Sequence, residues 1–568
     1  MIQLENVTFT YPGATNPTLN KVSLHIKKGD FLAIIGNNGC GKSTLCKAMN
    51  GLIPHFIVGD MEGKVKIDGV DSKAQEVGSI AKKVGYVYQD FENQIVCPTV
   101  LEDASFACLN YAMTDYKERG REALAMCGLS HKVEEYIWQL SGGQKHLLAL
   151  ASMMALSPEV LILDEPIAQL DPLHAKEIYD LLKELNEVYN KTIIVIEHHT
   201  EFIARYCKSA VLMKDGEIVW RLPAKEALRR VEELEESNIF PPQITVAARK
   251  LQTSGVLPKS INLPVTLEEG VKVFQKKSGE NVVESNVRKH RKAPVIHQKE
   301  TTPVVEFKQV SVAYRAVKGE EKKTFEDLCC SFYHGDKIAL IGSNGAGKST
   351  LMKLMVGLLK PKEGEVCLHG KNTRRIRPEQ LSQTISLVYQ NPEEMFIKDS
   401  IRGDIEYAMK VRGVSDYEAR TQELLKMFRL TELADRDGRL LSGGQMRRAS
   451  LAIGIALNPG VLLLDEPTAN LDIATRKEIL KTLIELKDVT ETVVIATHDM
   501  QLVCDWADRI IVLTDGEVIA DGERNQVFSD EKVRRFVGIK PPEIYDLARE
   551  LGMPPCYTVD EFIEQYVQ

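Results

Sequence analysis

The chain spells one passage twice. Residues 139–166 read QLSGGQKHLLALASMMALSPEVLILDEP, and residues 440–467 read LLSGGQMRRASLAIGIALNPGVLLLDEP. Three further segments repeat in the same order: 34–45 with 340–351 (IIGNNGCGKSTL, LIGSNGAGKSTL), 84–95 with 385–396 (VGYVYQDFENQI, ISLVYQNPEEMF) and 193–199 with 493–499 (IIVIEHH, VVIATHD). The offset shrinks only from 306 residues at Gly36/Gly342 to 300 at His198/His498. Self-similarity in fixed order marks a duplicated unit, and 568 residues are too many for one hydrophobic core. The chain is therefore read as two copies of one α/β unit. The copies share their tails as well, FPPQITVAARKLQ at 240–252 and KPPEIYDLARELG at 540–552, each followed by an acidic stretch. Pro-Pro ahead of apolar residues at helical spacing predicts a short helix after a turn.

Composition narrows the class. Hydrophobic and charged contents of 44% and 27% are those of a soluble globular protein. No uncharged apolar run reaches the roughly 18 residues that a membrane span needs, and the first residues, MIQLENVTFTYPG, lack the pattern of a secretory signal. A net charge of -8 argues against a chain-wide nucleic-acid footprint. The eleven cysteines follow no metal-ligand spacing and are expected to be reduced and mostly buried; Cys329 and Cys330 read as core filler. Between the copies, the polar KKSGENVVESNVRKHRKAPVIHQKETT is expected to be a flexible tether.

Both copies carry a phosphate cradle. Gly36-Asn37-Asn38-Gly39-Cys40-Gly41-Lys42-Ser43 and Gly342-Ser343-Asn344-Gly345-Ala346-Gly347-Lys348-Ser349 fit G-x-x-x-x-G-K-[ST], each after a β-rich run and running into a helical stretch, STLCKAMNGL or STLMKLMVGL, that carries Thr44 or Thr350. In that context backbone N–H groups and a helix N-terminus face phosphate, Lys42 and Lys348 reach the β- and γ-phosphates, and Ser43 and Ser349 ligate Mg²⁺. Downstream, VLILDE and VLLLDE read as buried parallel strands ending in two acids. Asp164 and Asp465 are the expected Mg²⁺ ligands, and Glu165 and Glu466 the expected general bases for an attacking water.

A P-loop, a glutamine loop, LSGGQ, LDEP and a later histidine, in this order, resemble the nucleotide-binding domain of ABC ATPases. The resemblance implies an α/β fold of two tandem P-loop domains. Each would have a RecA-like core, an antiparallel β subdomain, a helical signature subdomain and a short helical C-terminal extension. The expected divisions are 1–235, the first ABC ATPase domain; 236–275, its extension; 276–302, the linker; 303–530, the second domain; and 531–568, its extension. In such proteins ATP lies between the P-loop of one domain and the signature of the other. One site would then join Lys42, Ser43, Gln89, Asp164, Glu165 and His198 with Ser442, Gly443, Gly444 and Gln445. The other would join Lys348, Ser349, Gln390, Asp465, Glu466 and His498 with Ser141, Gly142, Gly143 and Gln144. Gln89 and Gln390 would sense Mg²⁺ and the γ-phosphate, and His198 and His498 would contact the γ-phosphate or the water. Asp171 and Asp472 would lie on the loop that crosses between domains, and Tyr11 and Tyr314 would stack on adenine. Both sites are expected to hydrolyse ATP, at unequal rates, because Ile167 stands opposite Thr468 and Glu197 opposite Thr497. A helix N-terminus and a nearby lysine are expected to lower the Cys40 thiol pKa, making the first site sensitive to alkylation.

The stretches after the glutamines, QDFENQI and QNPEEMF, and the Pro-Pro tails further resemble the ATPases of energy-coupling-factor importers. That resemblance implies an energy-coupling subunit on the cytoplasmic face of the membrane, bound to a transmembrane coupling subunit and a separate substrate-capturing subunit. The cargo would be a vitamin, a vitamin precursor or a transition metal, untouched by this chain. The alternative is a ribosome-associated translation factor of the ABC-F type, whose charged linker and unmatched C-terminus fit the repeated tails less well. A chromosome-organising ATPase would need a long insertion between P-loop and signature, yet Ser43 and Ser141 are only 98 residues apart. A nucleotide-gated binding protein without turnover is disfavoured by the two intact Glu/His sets.

Overall fold

The computed structural model describes residues 1–167, 170, 172–275, 302–315, 321–469, 471, 473–485, 490–536 and 541–567. The expected tether, all but its last residue, lies outside this range, as do Ala168, Gln169, Asn470 and the loop aspartates Asp171 and Asp472. The chain divides into two units, Met1–Lys277 with Glu543–Gln568, and Ser278–Pro542.

Among its described residues the first unit has ten strands: β1 (Ile2–Thr10), β2 (Leu19–Ile26), β3 (Phe31–Gly36), β4 (Asp60–Ile67), β5 (Val70–Asp71), β6 (Val84–Val87), β7 (Val160–Asp164), β8 (Thr192–Ile196), β9 (Ser209–Lys214) and β10 (Glu217–Pro223). They form a four-stranded sheet, β2-β1-β4-β5, and a six-stranded sheet, β10-β9-β3-β8-β7-β6. The small sheet is antiparallel throughout. On β1, buried Ile2, Leu4, Val7 and Phe9 break the strict alternation between Leu4 and Val7, where the register shifts. The bulge there places Asn6 at a φ of 48° and steepens the local twist. The large sheet is parallel from β9 to β6. Its strands β3, β7 and β8 are buried along their whole length, as parallel strands covered on both faces must be.

Successive side chains on these strands enter opposite cores. Leu32, Ile34, Ile162 and Ile194 face the small sheet and the helix Lys42–Met49. Phe31, Ala33, Leu161, Leu163, Ile193 and Val195 face the helices Gly142–Met154 and Pro172–Glu187. The period-2 alternation therefore locks the phosphate-loop helix to one side of the sheet and the signature helix to the other. The second unit repeats both sheets, with the same strand order in each. Among the described residues no helix is long and apolar enough to cross a membrane.

The tails depart from the sequence reading, which attaches each to its own domain. Helices Gln243–Thr253 and Leu267–Gln275 of the first tail and Glu543–Glu550 and Val559–Val567 of the second share one apolar core, with Ile244, Leu251 and Phe274 against Ile544, Leu547 and Phe562. The packing is reciprocal. The Ile244 amide donates to a Glu543 carboxylate oxygen at 3.4 Å, and the Ile544 amide donates to Gln243 Oε1 at 3.1 Å. Each tail thus caps the other's helix N-terminus, where amides lack intrahelical partners. Phe274 meets Phe562 and Tyr566 edge-on, both at 5.2 Å. The cysteine expectation needs one correction, because Cys330 is buried but Cys329 is exposed. Truncation of Phe274 to Ala should destabilise the tail core by about 3–5 kcal/mol, read as a lower denaturant midpoint and faster proteolysis of both tails.

Candidate functional site

Two strand ends and one loop make the centre of each copy. β3 ends in Gly36, and the chain then curls over the N-terminus of the helix Lys42–Met49. Two glycines permit the curl. At Gly36, φ is 152° and a Cβ would lie 2.3 Å from the Met213 carbonyl; at Gly41, φ is 101° and a Cβ would lie 2.6 Å from the Thr18 carbonyl. Only glycine fits both the torsions and the space. Lys42, 6% exposed, donates from Nζ to the Gly36 and Asn37 carbonyls at 2.8 Å each. A lysine ammonium has three donors, so one remains for an anion lying over the loop. In the second copy Lys348 donates to the Gly342 and Ser343 carbonyls at 2.7 and 3.1 Å and approaches His498 Nε2 at 3.3 Å.

β7 supplies the carboxylates. Asp164 accepts from Tyr86 Oη at 3.0 Å and lies beside the Ser43 hydroxyl. Burial pushes its carboxyl above the usual range, against the opposing effect of these hydroxyls. Its second oxygen, Oδ1, is buried and without a hydrogen-bond partner. A buried carboxylate oxygen left open beside a serine hydroxyl fits a hard cation such as Mg²⁺, which is ligated by oxygen. One residue on, the backbone enters the left-handed region, with φ of 50° at Glu165 and 48° at Glu466. The turn aims each glutamate away from its aspartate. Glu165 accepts from Gln89 Nε2 at 2.9 Å and lies 3.1 Å from His198 Nε2. Glu466 lies 3.3 Å from His498 Nε2, and burial pushes its carboxyl up to about 7 in spite of Lys348. A base poised near the working pH transfers protons most effectively.

The remaining sequence-expected residues fall at the rims. Tyr11 and Tyr314 bond Thr44 and Thr350 at 3.2 and 3.3 Å beside the two P-loops. Ser141 and Ser442 are helix N-caps, accepting from Gln144 N and Gln445 N at 3.3 and 3.5 Å, while both glutamine side chains reach back to the serine amides. A Cβ at Gly142 or Gly443 would meet nothing within 4 Å, so these helix starts present open backbone, suited to an anion.

A family model described as ABC transporter matches residues 19–168 and 325–469. The chain belongs to the ABC transporter family. It has two ABC ATPase domains and is an ATP-binding, ATP-hydrolysing protein. It is 32% identical to a Methanosarcina acetivorans protein provisionally described as an ABC transporter ATP-binding protein, over 99% of this chain and 92% of that one. A protein of the same description from Caldanaerobacter subterraneus is 31% identical over 97% and 96% of the two chains. A solved structure, cbiO1 from Clostridium perfringens, part of the ABC transporter complex cbiONQ, aligns with 43% of this chain and 97% of its own at 30% identity and a TM-score of 0.37.

The two ABC ATPase copies differ in residues that motif reading passes over. In the second, Arg447 of the signature helix donates to the Tyr389 and Gln390 carbonyls at 3.0 and 2.8 Å, tying that helix to the glutamine loop. The corresponding residue in the first is His146, buried and packed on Phe91 with ring centroids 4.5 Å apart. A difference between the copies at an otherwise repeated motif was the available signal. Cys40 corrects the sequence reading. Its thiol is buried inside the curl of the P-loop, and burial raises its pKa in spite of Lys42. A thiol held neutral and covered is a poor target for alkylation.

Burial also lowers the His146 pKa from its ordinary 6.5 to about 4. The unfolded chain binds the extra proton first, so stability is full above pH 6.5 and falls between pH 6.5 and 4 as that state is favoured. The loss is up to about 3 kcal/mol. Thermal unfolding of the wild type should show this decline, and His146→Gln should flatten it.

Proposed function

We propose that this ABC ATPase is the energy-coupling subunit of an energy-coupling-factor type importer, working on the cytoplasmic face of a membrane and powering uptake of a vitamin, a vitamin precursor or a transition metal. The observation that carries the reading is a groove beside the first glutamine loop. It has a volume of about 390 Å³ and is lined by Ile95, Val96, Cys97, Pro98, Ile137 and Trp138, with Glu92 and Lys145 at its edge. Val96 and Trp138 are 61% and 53% exposed, an apolar surface in search of cover. The helix end of a transmembrane coupling subunit would supply it. The cbiO1 protein named above, part of an ABC transporter complex, is the kind of subunit meant. Motion of Gln89 would then be felt in the groove, since Gln89 sits five residues before Gln94, whose side chain bonds the Tyr86 carbonyl and Tyr88 amide.

The catalytic roles follow the chemistry of the groups. ATP's phosphates would lie over the amides of the P-loops, with Lys42 and Lys348 on the β- and γ-phosphates. Ser43, Asp164 and Gln89, and Ser349, Asp465 and Gln390, would hold Mg²⁺, which neutralises phosphate charge when bound. Glu165 and Glu466 would take the proton of the attacking water, while His198 and His498 orient that water or the γ-phosphate. Tyr11 and Tyr314 would stack on adenine. Each P-loop would work with the signature serine and glycines of the other copy, Ser442 to Gln445 and Ser141 to Gln144. The domain divisions given from the sequence are part of this reading.

Glu165→Gln and Glu466→Gln should each lower hydrolysis at its own site by about 100-fold, read as loss of that site's share of steady-state phosphate release; full activity in either would remove that glutamate from its role. The double variant, which should hold ATP unhydrolysed, is expected to sediment with membranes together with a small polytopic protein, and Trp138→Arg should reduce that recovery. Sedimentation with ribosomes would instead make the chain a translation factor.

A further inference from the structure

The histidine loop of the first copy is built around a buried charge that the second copy lacks. Glu197 follows β8 and is 2% exposed. Its Oε1 accepts from the His198 and His199 amides at 2.8 Å each and lies 2.9 Å from His199 Nδ1. Its Oε2 accepts from Tyr179 Oη at 2.6 Å. Burial alone would push this carboxyl up, but the His199 ring and the Tyr179 hydroxyl outweigh it and hold the pKa below the ordinary value. Tyr179 is fully buried on the helix Pro172–Glu187, packed with Phe31, Phe202 and Tyr206. An unbroken chain of contacts therefore runs from that helix through Tyr179, Glu197 and the His198 backbone to the His198 ring, and on to Glu165 and Gln89.

The second copy solves the same problem with other residues. Thr497 stands in place of Glu197, Leu480 in place of Tyr179, and the carboxylate moves past the histidine to Asp499. Asp499 accepts from the Leu502 amide at 2.9 Å, from Thr468 Oγ1 at 3.2 Å and from Arg476, while its own amide donates to Thr497 Oγ1 at 3.0 Å. The residues that hold Asp499 from outside the loop, Thr468 and Arg476, are Ile167 and Ala175 in the first copy. Five positions thus change together, and each set is complete in itself. A single exchange would strand a buried carboxylate without its donors, which costs more than losing both partners at once.

We propose that Glu197 and Tyr179 are positioning residues of the first ATP site, holding His198 through a network that cannot be exchanged residue by residue with the Thr468–Arg476–Thr497–Asp499 network that holds His498. This deepens the role given to His198 above and rests on it. The network fixes the backbone of the histidine without touching nucleotide, so its loss falls on turnover and spares ATP binding. It also lets the two sites be tuned separately, although their catalytic motifs match.

The test uses the full chain with the second site silenced by Glu466→Gln, so that turnover reports the first site, and reads kcat, the KM for ATP and the thermal unfolding midpoint against that background. Glu197→Gln and Glu197→Thr should each lower kcat about tenfold, as a misplaced catalytic group does, with KM little changed. The midpoint should hold in the near-isosteric Glu197→Gln and fall in Glu197→Thr, which leaves the Tyr179 hydroxyl and two amides without their acceptor. Glu197→Asp should recover part of the loss of kcat. The fivefold exchange Ile167→Thr/Ala175→Arg/Tyr179→Leu/Glu197→Thr/His199→Asp should restore kcat to near the wild-type value, because it installs the second copy's complete network. Wild-type kcat in folded Glu197→Gln would overturn the proposal. So would a parallel fall of kcat, KM and midpoint that the fivefold exchange does not repair. His198→Ala separates this from failure of the underlying reading. If that variant keeps full turnover, the role of His198 itself is wrong; if it loses turnover while Glu197→Gln does not, only the positioning network is wrong.

Discussion

Everything in each ATPase centre depends on one turn, where the backbone goes left-handed at the residue after the strand. Glu165 and Glu466 sit there with φ near 50°, and their amides donate to the Ile196 and Ala496 carbonyls of the neighbouring strand at 3.1 and 2.9 Å. Non-glycine residues avoid this region at a cost of about 1–3 kcal/mol, and the neighbouring strand's carbonyl is what holds them in it. The result is a division of labour between adjacent acids. An extended strand would send them to opposite faces of the sheet. The turn instead keeps Asp164 against Ser43 and Tyr86 and directs Glu165 to Gln89 and His198. In the roles proposed above, phosphate chemistry and proton chemistry would thereby be separated by a single peptide.

Around that turn the two copies have diverged without losing their catalytic motifs. The P-loop lysines, the acid pairs and the histidines recur at matching strand and loop positions. What differs is how their neighbours hold them: Arg447 on glutamine-loop carbonyls against His146 on Phe91, and Asp499 after the histidine against Glu197 before it. Catalytic groups touch the reacting atoms and tolerate little change, whereas supporting groups need only be satisfied as a set. Duplication frees the sets to drift apart as long as each stays complete.

This distinction also explains what could be read in the amino-acid sequence. The two-copy architecture, the sheets and the P-loop and acid-pair residues were legible because local spacing carries them: glycines where the chain must curl, an apolar run where a strand is covered on both faces. Cys40 was misread because proximity to Lys42 is visible in the sequence but burial within the loop is not. Tyr179 and Glu197 are 18 residues apart, with nothing in either segment to announce a shared hydrogen bond. The tail core was hidden for the same reason on a larger scale, since Gln243 and Ile544 are 301 residues apart. Repetition of the tails revealed that they fold alike, and left open what they fold against.

The tail core changes the connectivity of the protein. The second tail, though last in the chain, is folded into the first unit. The first unit is therefore built from two stretches of chain that lie on either side of the second ATPase domain in sequence. A chain segment held at both ends has far fewer configurations than one held at a single end. Severing the polypeptide between the two copies would leave the second tail held in the first unit by the shared tail core.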